Sequence, residues 1–201
     1  MNVKNVKSLK NVFLLFLAFY ILLGFIYPLA VTGIAQLLFP FKANGSLYKL
    51  NEKIVASELI CQPVSDPGLF WPRPSSTDSY PCNPLSSGGS NIGPTNKVLV
   101  ENIKSIEKVL KHYGLKDPFP SDMVMDSGSG LEPYISLDNA LMQAKRISKY
   151  TNIPYEELVE LINKNAEGRT FDIFGEKRVN VIKLNMELIK WRKKDQFQKA
   201  Y

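Results

Sequence analysis

The sequence predicts an α+β protein: a single N-terminal transmembrane helix followed by one mixed α/β soluble domain. Two observations carry this. Between Lys10 and Lys42 about thirty residues pass without a charge, whereas charges are interspersed through the rest of the chain. Beyond that run, apolar residues recur at helical spacing in separate segments, broken by stretches of Pro, Gly, Ser and Asn.

The uncharged run is the first element. About 20 apolar residues cross a hydrocarbon core of about 30 Å. Val12 to Ile34 supplies more than that, and the anchor is assigned to residues 12–38. No second segment qualifies. Lys4, Lys7 and Lys10 precede the anchor, and basic residues are retained on the cytoplasmic side of a span. Residues 1–11 are therefore expected in the cytoplasm and the domain, residues 42–201, outside the cell membrane. The alternative is a cleaved signal peptide with Gly33-Ile34-Ala35 as its cleavage site. The run is about twice the usual 7 to 15 residues of such a signal, which favours a retained, single-pass anchor. Pro28 is expected to kink or end the helix. With Thr32, Gly33 and Gln36 it marks a candidate contact face for a partner helix in lipid, because small residues let backbones approach closely.

About 160 residues remain, enough for one domain with its own core. Half of the net charge of +6 belongs to the three N-terminal lysines, so the domain is only slightly basic. No nucleic-acid partner is expected, the one basic cluster being a tail that could meet anionic lipid or nucleic acid. Lys190, Arg192, Lys193, Lys194 and Lys199 cluster around Asp195 and read as a fraying, solvated helix end. Cys61 and Cys82 have two readings. They pair across a loop of about twenty residues, worth roughly 3 kcal/mol of stability in an oxidising exterior, or they remain two free thiols.

The domain's elements follow in order. Leu47, Ile54, Val55, Leu59 and Ile60 suggest one or two short strands within Ser46–Gln62. Pro63 to Asn96 reads as an ordered irregular loop, since Phe70, Trp71 and Tyr80 give it something to pack. Thr95 is expected to cap a helix with Leu99, Ile103, Ile106 and Leu110 on one face, stopping at Gly114. A short apolar piece, Met123 to Met125, precedes the loop Asp126 to Ser136. Ser136 is expected to cap a second helix (Ala140, Leu141, Ala144, Ile147). Pro154 opens a third, with Glu156 and Glu157 in its first turn and Tyr155, Leu158, Val159 and Ile162 as its buried stripe. A turn or strand around Arg169 to Arg178 leads to a last helix bearing Val181, Leu184, Leu188 and Trp191.

Catalytic arrangements are missing. The one histidine, His112, has no second histidine or acidic neighbour at ligand spacing, so no metal site is assigned. A serine nucleophile lacks its base, and there is no phosphate-binding GxxxxGK[ST] loop. Three polar motifs stand out instead: WPRPSS (Trp71 to Ser76), SGGSNIGPTN (Ser87 to Asn96) and SGSGLEPYIS (Ser127 to Ser136). Glycine-rich loops of this kind present backbone amides to an anion or to another backbone.

These motifs, with YPLAVTGIAQLLFP (Tyr27 to Pro40), NGSLY (Asn44 to Tyr48) and FGEKRVNVIKLN (Phe174 to Asn185), stand in an order that resembles the C chain of the Kdp potassium-transporting P-type ATPase. An unrelated secreted lectin-like or adhesin module would leave that order unexplained. Four positions depart from the pattern: Ala56 and Cys61 replace glycines, Glu132 replaces Asp, and Tyr134 stands where His or Asn is common.

The resemblance implies a non-catalytic subunit of a high-affinity ATP-driven potassium importer, beside a potassium-binding, channel-like chain and a separate ATP-hydrolysing chain. The residues agree, for the DKTGT phosphorylation motif of P-type pumps is absent. Two modes of action are open. In the first, the outer domain docks on the potassium-binding chain near the ion entrance through Arg73, Ser87, Gly88, Gly89, Ser90, Asn91, Gly93 and Asn96, and the acids Asp122, Asp126 and Glu132 enrich cations locally. In the second, which the family resemblance implies, the chain is a catalytic chaperone raising the ATP affinity of the hydrolysing chain. Ser127, Gly128, Ser129, Gly130 and Gln143 would then meet the nucleotide, a Gln amide offering both donor and acceptor to adenine. No cofactor of its own is implied, and ATP enters only through the complex.

Overall fold

The computed structural model describes residues 3–50 and 52–198, with side chains from Ser8 to Arg192. Lys4, Lys7, Lys193, Lys194, Asp195 and Lys199, on which the charge readings above partly rest, lie outside those described side chains. The chain divides into two compact units, Met1–Leu47 and Tyr48–Tyr201.

The first unit is helix α1 (Val3–Ile21), one π-helical turn (Leu22–Ile26) and helix α2 (Tyr27–Leu38). Within it Ser8–Leu38 is the one helix among the described residues long and apolar enough to cross a membrane. Of the two outcomes expected at Pro28, a kink or an end, the helix does not end there. The preceding turn widens, so that Tyr27 N–H bonds to the Leu22 carbonyl five residues back, and the wider turn relieves the conflict between the proline ring and the carbonyl four residues before it. The helix ends instead at Leu38, because Phe39 precedes Pro40 and is forced out of helical space (φ −136°, ψ 53°). A single turn, α3 (Pro40–Ala43), follows, and Asn44 exchanges side-chain hydrogen bonds with Gln36 (3.1 and 3.2 Å).

The second unit opens with the hairpin β1 (Leu47–Leu50) and β2 (Lys53–Ser57). After the long irregular segment come α4 (Lys97–His112), α5 (Ser121–Val124), β3 (Tyr134–Ser136), α6 (Leu137–Thr151), α7 (Tyr155–Asn165), β4 (Ala166–Glu167), β5 (Arg178–Asn180) and α8 (Val181–Gln198). Strands β3 and β4 flank β5 in an antiparallel sheet, with Ile135 opposite Val179 and Ala166 also opposite Val179. On this sheet α6, α7 and α8 pack the main core: Ile135, Ala140, Ala144, Ile147, Leu158, Ile162, Val179, Leu184 and Leu188, with Phe70 delivered from the irregular segment. A second cluster joins Leu110 of α4 to Leu115, Met123 and Val124, and Trp71 packs on its edge.

The caps explain the boundaries. Asn96, not Thr95, caps α4, its Oδ1 accepting from Val98 N–H at 2.9 Å, and Gly114 takes the positive φ (+83°) that ends the helix. Ser136 caps α6 as expected, accepting from Asn139 N–H. Asn180 caps α8 by accepting from Ile182 and Lys183 N–H. Residues 134–136, expected to lie in a loop, form β3 because Arg178–Asn180 offer them a pairing edge on which Ile135 is buried opposite Val179.

Candidate functional site

The three polar motifs converge on one surface. Ser75 Oγ donates to the Gly130 carbonyl (2.7 Å) and accepts from Cys82 N–H (2.8 Å), tying the WPRPSS loop to SGSGLEPYIS and to the turn at Cys82. Gly88 N–H and Ser87 Oγ both donate to the Ser129 carbonyl (2.9 and 3.1 Å). Ser127 N–H reaches the Pro74 carbonyl, and the Arg73 guanidinium reaches that of Asp126 (3.0 Å). Cys61 and Cys82 form a disulfide, Cα to Cα 5.6 Å, and Cys61 N–H bonds to the Leu131 carbonyl. Of the two readings of the cysteines, the bridge holds. These backbones meet with no ladder of their own, so hydroxyls and opposing backbone groups supply the partners that their amides and carbonyls require, and the cystine adds a covalent crosslink.

The glycines permit the approach. A Cβ on Gly89 would lie 2.8 Å from the Gly128 carbonyl oxygen, and one on Gly130, at φ +67°, would lie 2.5 Å from Thr77 Cγ2 and 2.6 Å from the Gly88 carbonyl oxygen. Gly128, by contrast, has open space around it. Ser127 and Gly130 are buried, while Gly128, Ser129, Ser87, Asn91 and Gly93 stay exposed and Gly88, Gly89, Ser90 and Arg73 are half-buried. Tyr80 and Leu85 (92% exposed) project from the same loops. Asn96 sits at one end, occupied as the cap of α4.

Gln143 is elsewhere in role. It is 2% exposed, and its amide is fully engaged: Oε1 accepts from Trp71 N–H (2.7 Å) and Arg146 (2.7 Å), while Nε2 donates to the Trp71 carbonyl (3.0 Å) and Asn139 (2.8 Å). Asn185 holds Phe70 by the same two-way clamp, 2.8 Å in each direction. Arg146, 1% exposed, donates to the Pro67 and Leu69 carbonyls and lies 3.6 Å over the Trp71 ring. Burial pushes this guanidinium down to about 10, since desolvation disfavours the charge. Residues 67–71 thus have their backbone paired by side chains from α6 and α8. Sequence reasoning missed Arg146 and Asn185. The signal was a polar row Asn139, Gln143, Arg146 running beside the apolar row Ala140, Ala144, Ile147.

The acids expected to attract cations have local partners. Asp122 accepts from Ser136 N–H (2.7 Å), Ser136 Oγ and Asn139. Asp126 accepts from Ser76 Oγ, and Glu132 from Tyr134 N–H. Beside them opens a shallow cleft of about 510 Å³ with Arg73, Glu132, Tyr134 and Arg178 among its walls. Tyr134 donates to Glu167 (3.1 Å) under the Arg178 guanidinium, 4.5 Å above its ring, so the residue that departs from the pattern is structurally satisfied. Among the described residues no group of three His, Cys, Asp or Glu is placed to hold a metal ion.

The chain thus joins a long apolar helix to an α+β domain in which loops from the three motifs are hydrogen-bonded to one another. A family profile described as "KdpC: K+-transporting ATPase, c chain" matches residues 9–190. The chain is 44% identical to the "Potassium-transporting ATPase KdpC subunit" of Caldanaerobacter subterraneus subsp. tengcongensis over 191 residues, covering 94% of this chain and 97% of that one. Proteins of the same name from Methylococcus capsulatus (43%; 91% and 97% covered) and Geotalea uraniireducens (42%; 92% and 98%) are similarly close. The chain belongs to the family of K+-transporting ATPase c chains.

Proposed function

We propose that this chain is the single-span, non-catalytic subunit of a high-affinity, ATP-driven potassium import complex, and that its outer domain docks on the potassium-binding chain near the ion entrance. The observation that carries this is the fusion of WPRPSS, SGGSNIGPTN and SGSGLEPYIS into one cystine-stapled surface. A surface preorganised by backbone hydrogen bonds loses little entropy on binding, which suits a permanent contact. The disulfide supports an extracytoplasmic domain, because such bonds persist in oxidising compartments. The inward engagement of Gln143 speaks against the nucleotide-contacting alternative, since meeting adenine would mean releasing Trp71, Asn139 and Arg146 together.

The test is Gly128→Arg in the assembled complex. Position 128 is exposed with open space, so the chain should fold normally yet fail to co-purify with the potassium-binding chain. Normal assembly and transport would overturn the docking surface, and normal assembly with a raised ATP requirement would restore the chaperone alternative. Protease added to right-side-out vesicles should remove the domain; protection until lysis would reverse its sidedness.

A further inference from the structure

Resting on that docking reading, we propose that the docking surface is completed by a redox step: Cys61 and Cys82 start as thiols, a disulfide carrier oxidises them by exchange, and only the cystine form of the chain joins the complex.

The cystine lies where the loops meet. On one side Cys61 N–H bonds to the Leu131 carbonyl (3.0 Å), and the Cys61 sulfur lies 3.5 Å from the Gly130 carbonyl oxygen. On the other side Cys82 N–H bonds to Ser75 Oγ, the hydroxyl that also holds Gly130. Residues 77–86 form a loop that closes on itself. Thr77 Oγ1 donates to the Tyr80 carbonyl and accepts from Asn83 N–H, the Asn83 amide reaches the Asp78 carbonyl, and Ser86 Oγ reaches the Asp78 carboxylate. Among the described residues every hydrogen bond of 77–86 ends within 75–86. The cystine is therefore the link that runs from this loop to a distant part of the chain. Cys82 itself stands in the left-handed region, φ +58°, which a residue other than glycine keeps only where its surroundings fix it.

Breaking the bond acts on the loop and not on the main core. Separated thiols take the spacing of non-bonded heavy atoms, about 3.5–4 Å, and both cysteines are buried, Cys61 2% and Cys82 4% exposed. No room is left on the Gly130 side, where an added Cβ would meet Thr77, Gly88 and Ser75 within 3.3 Å. The loop side yields, because its hydrogen bonds travel with it. The main core on α6, α7 and α8 contains neither cysteine. The dithiol chain is thus folded but has a displaced loop, which carries the exposed Tyr80 and Leu85 away from the surface and removes its preorganisation.

The same burial fixes the order of events. Exchange proceeds by attack of a thiolate on a sulfur it can reach, so oxidation precedes closure of the loop and docking. The two thiols give up two protons and two electrons to the carrier's disulfide; one S–S bond forms in the chain, one breaks in the carrier, and the carrier leaves as thiols.

The experiment prepares the full-length chain in both redox forms, the dithiol with dithiothreitol that is then removed without air, and offers each to a complex lacking this chain. The cystine form should co-purify with the potassium-binding chain. The dithiol form should do so about tenfold less while still melting cooperatively, and oxidised glutathione should restore it. The double variant Cys61→Ser with Cys82→Ser should fold, join as poorly as the dithiol form and ignore glutathione. Loss of cooperative melting in the dithiol form, or full retention of the serine variant, would overturn the redox step. If both wild-type forms join equally, the docking reading stands and the redox step does not; if the cystine form fails to join the potassium-binding chain, the docking reading itself falls.

Discussion

Gly130→Ala tests whether the loops are packed as tightly as their geometry states. The added Cβ would stand 2.5 Å from Thr77 Cγ2 and 2.6 Å from the Gly88 carbonyl oxygen, at a φ of +67°. Leaving glycine at a left-handed position costs about 1 kcal/mol. Forcing one methyl into packed atoms costs about 1–3 kcal/mol, and here one of the opposing atoms is backbone and cannot rotate away. The total is about 3 kcal/mol, which for a domain of this size lowers the melting temperature by about 6–12 °C. Gly128→Ala, two residues earlier, meets nothing within 4 Å and should change it by about 2 °C or less. Both variants would be melted as full-length chain in detergent, by calorimetry or near-UV circular dichroism. Equal melting temperatures for the two would refute the interlocked loops and, with them, the preorganised surface.

Three further outcomes follow from named contacts. Replacing Cys61 and Cys82 by Ala releases a crosslink across 21 residues, which by chain entropy costs about 3 kcal/mol; calorimetry of the variant and of dithiothreitol-treated wild type should agree, and two titratable thiols in the untreated protein would contradict the bridge. Arg146→Lys should lose about 2 kcal/mol and fail to restore the native emission of Trp71, read in a Trp191→Phe background, because an ammonium cannot span the Pro67, Leu69 and Gln143 acceptors while stacking on the indole; wild-type emission would show the cluster to be incidental. Gly33→Leu places bulk in the shallow apolar groove formed with Ala30, Ile34 and Leu37 and should reduce co-purification of the complex, whereas an unchanged yield would make the span a simple tether.

The helices were legible because their apolar residues keep a 3.6-residue period and their ends carry Asn, Ser, Pro or Gly. Leu110, Leu158, Ile162, Leu184 and Leu188 are all buried where the period places them. The strands of the sheet were not legible in full. Spans of three, two and three residues are shorter than any alternation can register, and the pairing of β3 with β5, more than forty residues apart, leaves no local trace. At Pro28 the sequence correctly marks stress in the helix, but whether a helix kinks, ends or admits a wider turn depends on the backbone around it. For the candidate site, each glycine motif was visible as a fragment. Their convergence was not, because it rests on hydroxyl-to-carbonyl bonds such as Ser75 to Gly130, 55 residues apart.

The amide clamps have a consequence for reading any mutant of this domain. Trp71 opens the WPRPSS motif, and among the described residues its backbone is held by Gln143, which Arg146 and Asn139 hold in turn on α6. The preceding residue, Phe70, is a core side chain whose backbone is held by Asn185 on α8. Loop shape and core stability are thus one cooperative unit, and the free energies of these contacts will not add. A substitution at Gln143 that lowers transport has two origins: loss of a contact with something outside the chain, or a shift of residues 67–71 that carries the docking surface with it. The two separate on stability. A contact residue loses function at an unchanged melting temperature, whereas a scaffold residue loses both together and recovers both when a distant substitution restabilises the domain. By the hydrogen bonds it makes, Gln143 belongs with the scaffold, and Gln143→Ala should lower melting temperature and assembly in parallel while leaving the ATP dependence of whatever complex still forms unchanged.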